Sequence, residues 1–190
     1  MRIEGILSGT LHYIFNQLEK GKRFSEIVLH AKQQGYTEPD PRQDLSGMDV
    51  ARKLICLARE AGHHTSMEDV SVQNLVPQEL HLCSTDDFFR LLPHYDEEMR
   101  QLVIKAHAKN ETLRYTGSID LKGRINISIQ SVPVNHPYAI LAEKNNLVMF
   151  YSKLYDKDPL IIQGPVLGEN LTVSAILSDL IRIIYQSSRS

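Results

Sequence analysis

"TLRYTGSIDLKGRINISIQSVPV", residues 112–134, decides the fold. On both sides of "DLKG" apolar and polar residues alternate, and Gly123 stands where a tight reversal needs positive φ, so two strands joined as a hairpin are predicted. Upstream the period is 3.6 instead of 2. Leu11, Ile14, Phe15 and Leu18 fall at i, i+3, i+4 and i+7, which predicts a helix opened at Gly9–Thr10 and stopped at Gly21. A second helix is expected from about Ser25 to Gln34, with Ile27, Val28 and Ala31 inward and Gly35 at its C-terminal cap. Ser46, with Asp49 three residues on, predicts a capping box for a helix from Gly47 to about Ala61, closed by Gly62. Ser84 and Asp87 open another, with Phe88, Phe89 and Leu92 on its buried side and Pro93 at its end, and residues 95–108 are helical again. Between these, "DVSVQNLV" at 69–76 alternates weakly as a strand. Downstream, "NLVMFYSKLY" (146–155) and "LIIQG" (160–164) are two more strands. A last helix runs from Thr172 to about Gln186, with Val173, Ile176, Leu177, Leu180, Ile181 and Ile184 on a wide apolar face. Helices first and a mainly antiparallel sheet later give an α+β fold.

The 190 residues amount to about one domain. With 21 basic against 23 acidic residues there is no global field to hold a polyanion, which excludes nucleic acid or an acidic membrane surface as the main partner. A small-molecule partner is expected. The cysteines are Cys56 and Cys83, and Cys56 at an apolar place of a helical pattern reads as a buried structural thiol, suited to a reducing cytoplasm. No run approaches the ~20 apolar residues of a membrane span, and Glu4 and Gly5 interrupt the start where a signal peptide needs apolar continuity, so a soluble chain is expected.

One stretch is far more charged than the rest. "GYTEPDPRQDLSGMDVARK", residues 35–53, carries four carboxylates, three basic side chains and two prolines. Pro39 and Pro41 remove N–H groups and push Glu38 and Asp40 toward extended geometry, so residues 36–45 read as a stiff loop presenting Glu38, Asp40 and Asp44. Asp49 and Lys53 are four apart and share a helix face. As a surface pair they would contribute about 0.3–0.5 kcal/mol. Among neighbouring carboxylates and apolar positions near a helix start, however, a lysine has the setting of a proton donor or oxyanion stabiliser. A cation loop begun at Asp40 fails, because Arg42, Leu45 and Ala51 occupy positions that need Asp or Asn, Gly and Glu. Zinc fails too, since His63 and His64 are adjacent at a helix end, read as solvent-exposed, and lack partners at ligand spacing. His12 and His136 receive no role.

"GILSGTLHYIF", "GYTEPDPRQDLSGMDVARKL" and "FYSKLYDKDPLIIQG" followed by the "TVSAILSDL" helix together resemble homoserine dehydrogenase, in particular the form at the C-terminal end of bifunctional aspartokinase and homoserine dehydrogenase chains. The resemblance runs from Gly5 to about Leu180. It implies reduction of aspartate semialdehyde to homoserine with a nicotinamide hydride, in threonine and methionine biosynthesis. Lys53 matches the candidate proton donor, beside Asp49. Glu38 and Asp44 match acids facing the substrate amino and hydroxyl groups, Tyr36 matches a pocket residue, and Gly9 and Thr10 match a helix start that receives the substrate carboxylate. That last role also follows from chemistry, since helix N-termini bind anions. The resemblance further implies a homodimer formed through the antiparallel strands. The strands around "RINISIQSV" and "NLVMFYS" are themselves expected to leave long edges that need covering.

The departures are equally specific. No G-x-G-x-x-G occurs, so the dinucleotide-binding half that precedes this region in the family is expected to be missing, and neither NAD nor NADP is expected to bind tightly to these residues alone. The family's glycine loop near the nicotinamide is represented by "GPVLG", which keeps Gly164 and Gly168 but places Val166 where glycine is expected, an obstruction to a cofactor approaching the backbone. Residues 1–170 then form a catalytic and dimerisation domain, and 171–190 a helix that in the family packs on the absent nucleotide-binding domain. Two functions follow: the catalytic-domain portion of homoserine dehydrogenase, inactive alone, or a non-catalytic amino-acid-binding or assembly domain on the same fold. The intact Glu38, Asp44, Asp49 and Lys53 set favours the first; the altered glycine loop favours the second.

Overall fold

The computed structural model describes residues 1–143, 145–165 and 169–187; Val166 and Gly168 lie outside them. Six strands form one sheet in the order β2-β4-β3-β1-β5-β6, with β1 at Arg2–Ile6, β2 at Val70–Val72, β3 at Glu111–Ile119, β4 at Ile125–Pro133, β5 at Asn145–Tyr151 and β6 at Leu160–Pro165. All neighbours are antiparallel except β2 and β4. The β3–β4 hairpin closes as expected: Gly123 takes φ 83°, its N–H donates to the Asp120 carbonyl at 3.0 Å, and the Asp120 carboxylate accepts from the amides of Lys122 and Arg124. The fold is α+β.

The helices are α1 (Gly9–Glu19), α2 (Phe24–Gln33), α3 (Arg42–Leu45), α4 (Met48–Glu60), α5 (Thr85–Leu91), α6 (Asp96–His107) and α7 (Glu169–Ser187). Leu11, Ile14, Phe15 and Leu18 of α1, Ile27, Val28 and Ala31 of α2, and Val50, Ala51 and Leu54 of α4 are buried. Most of them join Ile3, Leu113, Tyr115, Ile119, Ile125 and Ile127 in one core on a single face of the sheet. Strand alternation sends Ile6, Leu147 and Met149 to the other face, where Val132, Tyr138 and Leu141 meet them in a smaller cluster. The β4–β5 connection that supplies Tyr138 and Leu141 is held by Arg114, whose buried guanidinium donates to the carbonyls of Tyr138 and Ala139, each at 3.0 Å. Burial lowers the pKa of that guanidinium.

Several expectations need correction. Residues 36–45 are not all loop, because α3 forms from Arg42; Pro41 at its N-terminal end is a position where the missing N–H costs nothing. Cys56 is exposed: the buried side of α4 is defined by Val50, Ala51, Leu54, Ile55 and Ala58, and position 56 rotates outward with Arg52 and Lys53. His64 is exposed, but His63 is half-buried because it packs over the turn at Gly123. Phe89 is only partly buried. β5 is not an edge, since β1 and β6 flank it, and residues 152–155 turn away from the sheet. β4 is covered by β2 over Ile125–Ile127, and the Gln73 side-chain oxygen then accepts from the Ile129 amide at 2.9 Å. The apolar face of α7 is open: Val173, Ile176, Leu177, Leu180, Ile181 and Ile184 are all 45% to 62% exposed. Among the described residues, no helix is long and apolar enough to cross a membrane.

Candidate active site

Three chain segments converge on the dense stretch. The first is the start of α1. Ser8 is its N-cap, with extended backbone and a hydroxyl that accepts from the Leu11 amide at 3.2 Å, while the Ser8 carbonyl takes the His12 amide at 2.9 Å. Gly9 and Thr10 are thus the first two helical residues, one step inside the cap, and a serine just ahead of the apolar period is the signal that marks it.

The second segment is the loop and α3. The Thr10 hydroxyl sits beside both the Tyr36 carbonyl and the Asp44 carboxylate. Its single hydrogen cannot serve both, and the 2.5 Å contact assigns it to Tyr36. The Tyr36 ring packs edge-on against Tyr13, with ring centroids 5.1 Å apart. The Asp44 Oδ2 accepts from the Glu38 amide at 2.9 Å, folding the loop back on α3. Burial raises the Asp44 pKa above the ordinary carboxylate value, against the lowering effect of its hydrogen bonds and with a further upward push from the Glu38 charge.

The third segment is the start of α4. The expected capping box does not form. The Ser46 hydroxyl donates back to the Gln43 carbonyl at 2.6 Å and accepts from the Met48 amide at 3.3 Å, and the N-cap is Gly47 at φ 73°. That glycine is required twice over: an L side chain is disfavoured at such φ, and a Cβ there would collide with the Tyr115 hydroxyl and Val72. The Tyr115 hydroxyl is committed to the Gln73 carbonyl at 2.7 Å, and burial raises its pKa. Two turns on, Leu54 fills the space a Cβ at Gly117 would take, seating α4 closely on β3. With the box unmade, Asp49 is left to pair with Lys53 at 2.7 Å, the i,i+4 contact expected from spacing. The Lys53 Nζ also donates to the Leu7 carbonyl at 3.0 Å, tying α4 to the turn before α1. Both partners are about half exposed, at 43% for Lys53 and 55% for Asp49, so the charge pair faces open space.

A cavity of about 430 Å³ results, lined by Glu38, Asp44 and Asp49 together with Gln43, Ser46, Met48 and Arg52. Lys53 is joined to this wall through Asp49 and Thr10 through Asp44, while Tyr36 reaches it only by way of Thr10, and none of the three lines the cavity itself. Gln43, Met48 and Arg52 were not singled out from sequence, although all three belong to the same motif. A larger hollow, about 700 Å³, lies between the α1–α2 turn and α6, but none of the site residues expected from sequence line it. Gly164 is in β6 opposite Asn146, and a Cβ there would meet nothing within 4 Å, so contacts inside the chain do not demand glycine. β1 enters α1 through Leu7 and Ser8, without a glycine-rich turn of the kind that cradles a pyrophosphate.

The sequence profile of the homoserine dehydrogenase family matches residues 1–181. The chain is 44% identical over 187 residues to a chloroplastic bifunctional aspartokinase/homoserine dehydrogenase 1 of Arabidopsis thaliana, covering 97% of this chain and 20% of that protein. It is 39% identical over 194 residues to a homoserine dehydrogenase of Paracoccidioides brasiliensis, covering 96% of this chain and 52% of that one. A solved structure of a protein of unknown function from Candida auris superposes with a TM-score of 0.89 at 42% identity, over 96% of this chain and 52% of that chain. The Staphylococcus aureus homoserine dehydrogenase superposes at 0.75 with 19% identity, over 98% of this chain and 43% of that one, which shows shared fold alone. The chain thus spans between a fifth and about half of these relatives.

Proposed function

Because the chain belongs to the homoserine dehydrogenase family, we propose that it is the substrate-handling and dimerisation portion of such an enzyme, serving the NAD(P)-dependent interconversion of L-homoserine and L-aspartate 4-semialdehyde. The observation that carries this reading is the position of Lys53, fixed by Asp49 and the Leu7 carbonyl next to a cavity walled by carboxylates. Two of its three N–H groups are engaged, and the third can address a ligand oxygen. As an aldehyde carbonyl is reduced, its oxygen receives the π electrons and takes up a proton; Lys53 is the group placed to give it, with Asp49 holding the ammonium in place. Glu38 and Asp44 face the ammonium and hydroxyl of the amino acid. The first amides of α1, at Gly9 and Thr10, receive its carboxylate.

The hydride donor is left to the dinucleotide-binding part of the complete enzyme. Residues 1–170 make the catalytic and dimerisation domain, and the C-terminal segment 171–190, which carries most of α7, docks on that part. Two unpaired thiols, Cys56 and Cys83, suit a reducing, cytoplasmic setting. Calorimetry of homoserine binding tests the pocket: Glu38→Gln is expected to weaken it by about 1.5–3 kcal/mol, the scale of a hydrogen bond to a charged group. In the complete enzyme, Lys53→Ala is expected to lower kcat by at least ~10²-fold with less effect on binding. Equal homoserine affinity in Glu38→Gln and wild type contradicts the pocket; a loss of affinity alone in Lys53→Ala makes Lys53 a binding group and not the donor.

A further inference from the structure

We propose that Arg42 is a positioning residue, whose guanidinium clamps the loop bearing Glu38 against α3, which bears Asp44, so that ligand binding at the acid-lined cavity depends on it. The inference deepens the reading above and rests on it for the identity of the ligand.

Pro39 and Pro41 bring no N–H groups, so the loop between α2 and α3 is poor in backbone donors with which to hold itself. Tyr36 and Glu38 are held by the contacts described above, and the Arg42 fork ties the loop to a distant part of the chain. The Arg42 Nε lies 2.9 and 3.0 Å from the two Asp40 oxygens and Nη2 lies 2.7 Å from Oδ2, a bidentate pair. The Arg42 amide donates to the same carboxylate at 3.1 Å. The other arm of the fork leaves the loop altogether: Nη1 donates to the Cys83 carbonyl at 2.7 Å and to the Leu80 carbonyl at 3.1 Å. Leu80 is buried in the core, so the far anchor is rigid. The guanidinium also lies 5.6 Å from the ring centre of Phe88, itself fully buried.

Arg42 sits between the two acids it serves. Glu38 is four residues before it and Asp44 two after, and these are joined to each other by the Glu38 amide on Asp44 Oδ2. Asp40 therefore does not face the cavity as a third ligand group; it is the counter-charge that orients the fork. The geometry needs a planar, two-armed donor. Lysine offers a point charge that can hold the carboxylate or the carbonyls but not both in these directions.

The test uses the 190-residue chain with Arg42→Lys, which keeps the positive charge and an unbranched apolar stem, and Arg42→Met. Amide hydrogen exchange by NMR and homoserine calorimetry are measured on both and on wild type. Exchange at the Glu38 amide, and at the Ser46 amide that donates to the Arg42 carbonyl at 2.9 Å, is expected to quicken at least tenfold in both variants, with exchange in α2 and β3 unchanged. Homoserine affinity is expected to fall at least tenfold, and lysine should not rescue it. Unchanged exchange at Glu38 and Ser46 overturns the clamp, as does quickened exchange with undiminished affinity. If wild type itself fails to bind homoserine, the proposed function fails, and the exchange arm still decides whether Arg42 holds the loop.

Discussion

Replacing Gly47 by alanine places a methyl group where α4 begins, and its cost can be worked out from two independent terms. At φ 73° an L-residue carries a backbone penalty of about 1–2 kcal/mol. The new Cβ also meets the Tyr115 hydroxyl and lies 2.9 Å from Val72 Cγ1, so the hydroxyl must leave the Gln73 carbonyl it holds at 2.7 Å. Disturbing that buried hydrogen bond costs a further ~1–3 kcal/mol. The sum, about 2–5 kcal/mol, corresponds to a fall in Tm of about 4–20 °C for a chain of this size. Tyr115→Phe separates the terms. It removes the colliding oxygen, so the double variant should be less unstable than the sum of the singles by ~1–3 kcal/mol in a denaturant or thermal cycle. Additivity within about 0.5 kcal/mol, or a Gly47→Ala cost below about 1 kcal/mol, would refute the claim that backbone conformation and the Tyr115 hydroxyl together require glycine at position 47.

The Asp44 carboxyl should show itself in pH dependence. Its folded pKa is raised, so its contribution to stability is complete below the ordinary carboxylate range and is lost as pH rises through the folded value. Asp44→Asn is therefore expected to match wild type in Tm in acid and to exceed it near neutrality; a pH-independent difference contradicts this. The 190-residue chain is expected to show no homoserine-dependent absorbance change at 340 nm with either nicotinamide, and steady turnover would overturn the assignment of the dinucleotide site to another segment. In solution a homodimer is expected, with the open apolar face of α7 making it the least protected or most self-associating element. Light scattering that shows a monomer at micromolar concentration, or hydrogen exchange as slow in α7 as in the sheet of a simple dimer, contradicts the corresponding half.

Local features are the ones legible in the sequence. The β3–β4 hairpin shows because its alternation is long, and helix ends show because Gly21, Gly35 and Gly62 each take the positive φ that stops a helix. β1 does not show, because five residues broken by Gly5 carry little periodicity and its partners are Ile119 and Phe150, far along the chain. The capping box at Ser46 matches its local pattern but loses to α3, which claims the serine hydroxyl. Cys56 has apolar neighbours in sequence yet the wrong angle around α4. The site follows the same division. Glu38, Asp44, Asp49 and Lys53 are legible since one continuous stretch carries them, whereas the Leu7 carbonyl on Lys53 and the reach of Arg42 to residues 80–83 are long-range contacts without local signal.

The central place of β1 bears on how the molecule comes to be folded. Its five residues lie between β3 and β5, in register with Gly117–Ile119 on one side and Leu147–Tyr151 on the other, so every ladder bond it makes closes a loop of more than a hundred residues. On a ribosome, the helices bearing Lys53 and the acid loop are complete well before either neighbour of β1 has been synthesised. Until then the inner faces of α1 and α4 have no sheet to cover. Contacts of such separation carry the largest closure entropy and slow the search, so the folding rate should be limited by capture of β1 and not by formation of the helices. The same strand leads directly into Leu7, whose carbonyl steadies Lys53, so Lys53 gains its final seat only once β1 is captured.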